Sequence, residues 1–313
     1  MIERVLLTGA TGMLGSSLHR AAKILSPAWT ILAPPHYVLD LTNPHAVTDY
    51  LAKNAVDLVI HAAGKVGGIT ANMNDQSGFL THNMLMGLNL IEAARSAGVK
   101  NFINFGSSCM YPRNLHGTLS EDDLLTAPLE PTNEGYALAK IAAAKLCAYI
   151  AEQYGLAYRT FIPCNLYGPN DNYDPSRSHV LAAALLKIHT AKVQQKNSVE
   201  IWGDGTVRRE FVFVDDLARF AITHADALAE FPPLLNTGAG ADISINDLYT
   251  SLARVIGFTG KFTHNLTAPV GMTRKLMNSD RAKALGWQPT TNLTDGLRLT
   301  YASFLKEQRT TPE

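Results

Sequence analysis

Gly9-Ala10-Thr11-Gly12-Met13-Leu14-Gly15 lies directly after a short apolar run, Arg4–Thr8, and directly before a segment whose apolar residues recur at helical spacing. No other feature restricts the fold as strongly. Leu14, Leu18, Ala21, Ala22 and Leu25 share one helical face, and Ser26-Pro27 stops the pattern. Glycines between a strand and a helix permit a tight turn and let an anionic group come close to the helix amino terminus. The spacing Gly-x-x-Gly-x-x-Gly predicts a dinucleotide pyrophosphate site opening a wound parallel sheet.

The rest of the first half supports this reading. Thr30–Ala33, Asp57–Ala62, Asn101–Gly106 and Tyr158–Ile162 read as strands, with helices near His45–Lys53, Gly78–Ala97 and Glu134–Tyr154. Strands alternating with helices predict an α/β protein with a Rossmann-type, doubly wound parallel sheet. After about residue 165 the texture changes to loops rich in Pro, Asn and Asp. There the pattern gives a short strand at Val199–Trp202 and helices near Asp215–Ala229, Ser244–Ile256 and Leu293–Glu307. The expected organisation is a dinucleotide-binding domain over 1–165 and, over 166–313, a smaller α/β substrate-binding lobe with some segments returning to the first domain.

Composition excludes several function classes. The 313 residues carry 27 basic and 27 acidic side chains, without the basic excess of a nucleic-acid binder. No apolar run approaches the roughly 18 residues of a membrane span, and the opening stretch does not read as a signal peptide. Three cysteines (Cys109, Cys147, Cys164) cannot all pair and lack metal-ligand spacing, which points to a reducing cytoplasm and no metal site.

Two short strings carry the chemistry. Tyr136 and Lys140 are four apart within a helical segment, so phenol and ammonium share a face. A cation beside a phenol is expected to favour its ionised form and bring it into range for acid–base work. Gly106-Ser107-Ser108-Cys109-Met110-Tyr111-Pro112 ends the fourth strand and places Ser107 to hydrogen-bond a substrate carbonyl or hydroxyl, or else to cap a turn. Cys147 and Cys164 have no such setting and read as core.

The adenosine end is less selective. Ala33-Pro34-Pro35-His36 offers neither an acid for a ribose diol nor an arginine for a 2′-phosphate. Asp40 comes late for a diol ligand, the alternative being an adenine contact through the Asp40-Leu41 backbone. His36 or a more distant base is left for a phosphate, and His61-Ala62-Ala63-Gly64 forms a second wall. The cofactor expected is a nicotinamide dinucleotide, NADP(H) with NAD(H) left open.

Over essentially its whole length the chain resembles the GDP-L-fucose synthase family of extended short-chain dehydrogenases/reductases. The likeness runs through Ala63–Ile69, Gly106–Pro112, Leu129–Glu134, Asn165–Asn172, Ser178-His179-Val180, Trp202-Gly203 and Arg208-Arg209-Glu210-Phe211. Sugar-nucleotide 4,6-dehydratases carry an acidic pair where this chain has Cys109-Met110, so dehydration is not expected. The resemblance implies 3,5-epimerisation and 4-reduction of a GDP-linked 4-keto-6-deoxy sugar. Cys109 and His179 would move protons at carbons 3 and 5; Ser107, Tyr136 and Lys140 would serve reduction at carbon 4. A free thiol and a free imidazole titrate near about 8.5 and 6.5, on either side of neutrality. The implied cofactor contacts are Gly9, Thr11, Gly12, Met13, Leu14, Gly15, His36, Asp40, Leu41, Ala62, Ala63, Lys140, Pro163, Asn165, Leu166 and His179. Ser108, Asn165, Lys187, Trp202, Arg209 and Lys275 would bind the sugar nucleotide.

Three positions depart from the family pattern: Thr11 and His36 stand where basic residues suit a 2′-phosphate, and Val270 replaces an acid. Alternatives left open are a pure 4-ketoreductase, a variant substrate such as a GDP-heptose, and a non-catalytic cofactor-sensing regulator. The resemblance also implies a homodimer paired through the helices near Gly78–Ala97 and Glu134–Tyr154, although their apolar faces could equally be internal core.

Overall fold

The computed structural model describes residues 2–115 and 117–310. Its strands are β1 (Arg4–Thr8), β2 (Thr30–Leu32), β3 (Leu58–His61), β4 (Asn101–Phe105), β5 (Ala157–Pro163), β6 (Asn165–Tyr167), β7 (Ser198–Trp202), β8 (Arg208–Phe213), β9 (Leu234–Thr237), β10 (Asp242–Ser244), β11 (Lys261–Asn265) and β12 (Arg274–Lys275). The helices are α1 (Met13–Leu25), α2 (Pro44–Lys53), α3 (Ile69–Asn74), α4 (Gln76–Ser96), α5 (Glu134–Tyr154), α6 (Val180–Val193), α7 (Val214–Thr223), α8 (Ile245–Ile256), α9 (Asp280–Ala284) and α10 (Leu293–Thr310).

Six strands form one sheet in the order β2-β1-β3-β4-β5-β9, every pair parallel. Parallel sheets are covered on both faces, and β3 and β5 are buried along their whole length. Chain order reverses between β1 and β3, so a crevice opens at their carboxyl ends. The glycine turn leaves β1 there, and Ala62-Ala63 leaves β3. This is the Rossmann-like α/β architecture expected from the sequence.

Local chemistry sets the helix ends. Asn43 caps α2 by accepting from the amides of His45 and Ala46, with Pro44 in the first turn. Gly155, at φ +66°, closes α5 in the left-handed conformation that glycine adopts without strain.

A second, smaller mixed sheet joins β10, β8 and β12, with β6 alongside β8, and β7 pairs with β11. Leu185, Ile188, Leu248, Leu252 and Phe304 are all buried in the core beneath it. The sequence reading does not contain α6. Its buried residues (Leu181, Ala182, Ala184, Leu185, Ile188 and Ala191) spread around the helix, so no narrow apolar stripe marks it. The single helix expected over Asp215–Ala229 is two pieces, α7 and a 3₁₀ segment, Ala225–Glu230, with the His224 ring 2.9 Å from the Phe220 carbonyl at the break. Among the described residues no helix is long and apolar enough to cross a membrane.

Candidate active site

One cavity of about 1760 Å³ runs from the glycine turn, past the end of β4, to the mixed sheet. Gly9 makes the turn at φ +71°, and a Cβ there would come within 2.6 Å of the Ala63 amide nitrogen. Glycine is therefore required by both conformation and space. The N-cap of α1 is Gly12, which supplies no side-chain cap, and its first turn holds no acidic residue. Met13, Leu14 and Gly15 line the cavity, so an uncapped helix amino terminus meets it, a setting that suits a dinucleotide pyrophosphate.

Of the residues expected around the adenosine, Thr11, His36, Leu41, Ala62 and Ala63 line the cavity, while Asp40 does not. The Asp40 carboxylate turns back on its own loop, accepting from the Thr42 amide at 2.9 Å and the Thr42 hydroxyl at 2.7 Å. These bonds hold its pKa below the ordinary carboxylate value. Asp40 is thus a loop-closing residue here, and Leu41 alone of the Asp40-Leu41 pair reaches the pocket.

Ser107, Ser108 and Cys109 follow β4, where a 3₁₀ turn over Ser108–Met110 swings the sulfur into the cavity. Ser107 Oγ accepts from the Cys109 amide at 3.2 Å, so the serine caps this turn as well as facing the cleft. Tyr136 enters from the first turn of α5. The start of that helix packs on α4 so closely that the Gly135 amide donates to Gln76 Oε1 at 2.8 Å, and a Cβ on Gly135 would meet the Gln76 carbonyl oxygen at 2.5 Å. A T-shaped contact with Phe79, centroids 6.4 Å apart, holds the Tyr136 ring.

Lys140 is buried, its ammonium donating to the Phe105 carbonyl at 2.9 Å and lying 5.9 Å from the Tyr136 ring centroid. Burial drops its pKa to about 8. The phenol does not move as the Tyr136–Lys140 spacing suggests. Desolvation pushes it up, negative charge on Cys109 adds to the rise, and the hydrogen bond with Ser107 only partly opposes it. Tyr136 is thus a firmly protonated phenol, suited to donating a proton.

His179, the N-cap residue of α6, is open to the cleft yet ringed by protein. Desolvation lowers its pKa first, and the nearby Lys275 charge lowers it further. Pro163, Asn165 and Leu166 also line the cavity, and Asn165 Nδ2 donates to the Glu210 carbonyl at 2.9 Å.

Farther along lie Lys187, Trp202, Arg209 and Lys275. Trp202 is 40% exposed rather than a core residue, with the Lys187 ammonium 5.0 Å above its ring. The Arg209 guanidinium donates to the carbonyls of Arg208 and Val270, at 2.8 and 3.1 Å. Asn133 was not among the expected site residues, yet its Nδ2 donates to Cys109 Sγ at 3.0 Å. The only signal for it was its place in the Leu129–Glu134 string. Cys147 and Cys164 are buried in the cores, with thiol pKa values pushed up by desolvation. Among the described residues no group of three or more His, Cys, Asp or Glu could hold a metal ion.

Residues 5–237 match the NAD dependent epimerase/dehydratase family. A GDP-L-fucose synthase of Azorhizobium caulinodans is 45% identical over 303 residues, covering 97% of this chain and 96% of the relative. A GDP-L-colitose synthase of Yersinia pseudotuberculosis is 43% identical, over 97% of this chain and 99% of the relative. Among solved structures, a GDP-mannoheptose C4 reductase from Campylobacter jejuni with NADP bound superposes with a TM-score of 0.88 at 28% identity, over 97% and 98% of the two chains. The chain belongs to the NAD dependent epimerase/dehydratase family, as a member similar to GDP-L-fucose synthases along almost all of its length.

Proposed function

We propose that the chain is an NADP(H)-dependent epimerase/reductase. Its substrate is a GDP-linked 4-keto-6-deoxy-mannose-type sugar, epimerised at carbons 3 and 5 and reduced at carbon 4 to GDP-L-fucose or a close relative. The observation that carries this reading is that Ser107, Cys109, Tyr136, Lys140 and His179 all open on the one cavity whose far end is the glycine turn.

A ketone at carbon 4 acidifies the hydrogens on carbons 3 and 5. Inverting each centre takes one group to remove a proton and another to return one on the opposite face, the work assigned to Cys109 and His179. Ser107 and Tyr136 then hold the carbon-4 oxygen, and Tyr136 protonates it as the carbon is reduced. A bound nicotinamide supplies the hydride for that reduction. Gly9–Gly15 would hold its pyrophosphate, Lys140 its ribose, and Pro163, Asn165 and Leu166 would line its ring. Thr11 and His36 offer a weak 2′-phosphate seat, so NADP(H) is preferred by a narrower margin than an arginine there would give.

The test is incubation with GDP-4-keto-6-deoxymannose and NADPH in heavy water. Cofactor oxidation with deuterium at carbons 3 and 5 supports the reading. Oxidation without deuterium makes the chain a pure 4-ketoreductase, a reading favoured by its likeness to the GDP-mannoheptose C4 reductase, while Val270 in the cleft favours a variant sugar. We also infer a homodimer through α4 and α5, which leave Leu85, Leu138, Tyr149 and Tyr154 exposed; a monomer in sedimentation equilibrium would refute it.

A further inference from the structure

Lys275 is a buried cation, 8% exposed, on the two-residue strand β12, where it pairs in register with Arg209 of β8. Among the described residues no carboxylate lies within ion-pair distance of it. Its ammonium instead lies 3.6 Å from Cys109 Sγ, while Asn133 Nδ2 donates to the same sulfur at 3.0 Å. A buried ammonium without a carboxylate is costly, and one held against a sulfur implies that the sulfur carries negative charge at some point in the cycle. Lys187 lies over Trp202, and Arg209, whose charge also reaches Cys109, is held by two backbone carbonyls and does not touch the sulfur.

Resting on the epimerase reading above, we propose that Lys275 is a positioning residue of the proton-transfer step, the counter-charge of Cys109, and not a ligand of the substrate's diphosphate. The Cys109 sulfur, as thiolate, takes the proton from the carbon beside the ketone and becomes a thiol. The electron pair of the broken C–H bond forms the enolate, its charge on the carbon-4 oxygen. His179, having taken up a proton from water, delivers it to the opposite face, the enolate reverts to the ketone, and the Cys109 thiol gives its proton back to water. Lys275 stabilises the sulfur's charge before the transfer, and Asn133 fixes the direction in which the sulfur points.

The experiment compares wild type, Lys275→Gln and Lys275→Arg by three readouts. These are deuterium entry at carbons 3 and 5 of GDP-4-keto-6-deoxymannose without NADPH, the rate of Cys109 alkylation by iodoacetamide with no sugar nucleotide present, and the affinity for GDP. A Cys109→Ser protein supplies the alkylation blank. In Lys275→Gln, loss of a charge beside the sulfur is expected to slow alkylation about tenfold and deuterium entry about a hundredfold. GDP affinity should stay within about twofold, and Lys275→Arg, keeping the charge, should recover most of the alkylation rate. Unchanged alkylation with a tenfold or greater loss of GDP affinity, about 1.4 kcal/mol, would overturn the proposal and make Lys275 a diphosphate ligand. If wild type takes up no deuterium, the epimerase reading fails, and the alkylation and GDP measurements still decide the role of Lys275. Should Lys275→Gln fail to fold, Lys275→Met is put through the same three readouts, and unchanged alkylation there overturns the proposal.

Discussion

The Lys140 ammonium donates to the Phe105 carbonyl at 2.9 Å, tying the second turn of α5 to the carboxyl end of β4. One bond thereby sets Tyr136 over Ser107 and Cys109, which follow that strand end. Because Lys140 is buried and its pKa falls to about 8, against 10.5 for a free lysine, the unfolded chain binds more protons between those values. Stability is thus expected to rise with pH from about 8 to 10.5 in wild type. Lys140→Met should lose that rise and lower NADPH oxidation at least a hundredfold, on the order of a catalytic acid–base contribution. Urea midpoints at pH 7.5 and 10 check the first part; equal midpoint changes in both proteins would count against it.

Removing the phenol hydroxyl separates the two halves of the proposed reaction. Tyr136→Phe should cut NADPH oxidation by about 10²–10⁴-fold while deuterium still enters at carbons 3 and 5. Loss of both activities together would mean that Tyr136 also serves the proton transfers.

His61 gives the fold a sensitivity to acid. It is buried beside the Thr8 hydroxyl, 2.9 Å from its Nδ1, and desolvation, with the Lys140 charge second, brings its pKa down to about 3. Between about 6.5 and 3 the unfolded chain binds one more proton than the folded one, so stability falls as pH falls through that window and is unaffected above it. His61→Leu should be less stable at pH 7, by about 1–3 kcal/mol for the orphaned hydroxyl, yet lose less on going to pH 4. Denaturant titrations at the two pH values decide it.

Trp202 is exposed to the cleft, so its removal should weaken ligand binding without unfolding the lobe. Trp202→Ala is expected to lower affinity for the GDP-sugar about tenfold, the order of one lost stacking contact, with a melting temperature close to wild type. Calorimetric titration and a thermal melt test the two halves. A large fall in melting temperature would make the ring structural.

Thr11 offers a hydroxyl at the adenosine end of the cavity, where a guanidinium would pair with a 2′-phosphate. Thr11→Arg should raise the kcat/KM preference for NADPH over NADH about tenfold, the order of one charge-assisted contact. An unchanged ratio would move the 2′-phosphate site elsewhere.

Much of this was legible in the sequence because it is local. A strand, a glycine turn and a helix within 25 residues, or a tyrosine and a lysine one helical turn apart, encode their arrangement through backbone periodicity alone. Five of the six strands of the parallel sheet announced themselves as short apolar runs, the four-residue edge strand β9 did not, and Glu134–Tyr154 was readable to its last residue. Relations that depend on packing left no periodic trace. Helix α6 is apolar on most sides, β8, β10 and β12 are short strands paired across distant segments, and Asp40 turns its carboxylate to Thr42 instead of the pocket. The protonated state of Tyr136 follows from burial, which neighbouring letters do not specify. The sulfur of Cys109 lies between Asn133, 24 residues away, and Lys275, 166 residues away. The sequence alone determined which chemical groups exist and which local elements carry them. Only the tertiary structure decided which of those groups meet, because contacts between distant segments arise from packing and burial, to which chain spacing is blind.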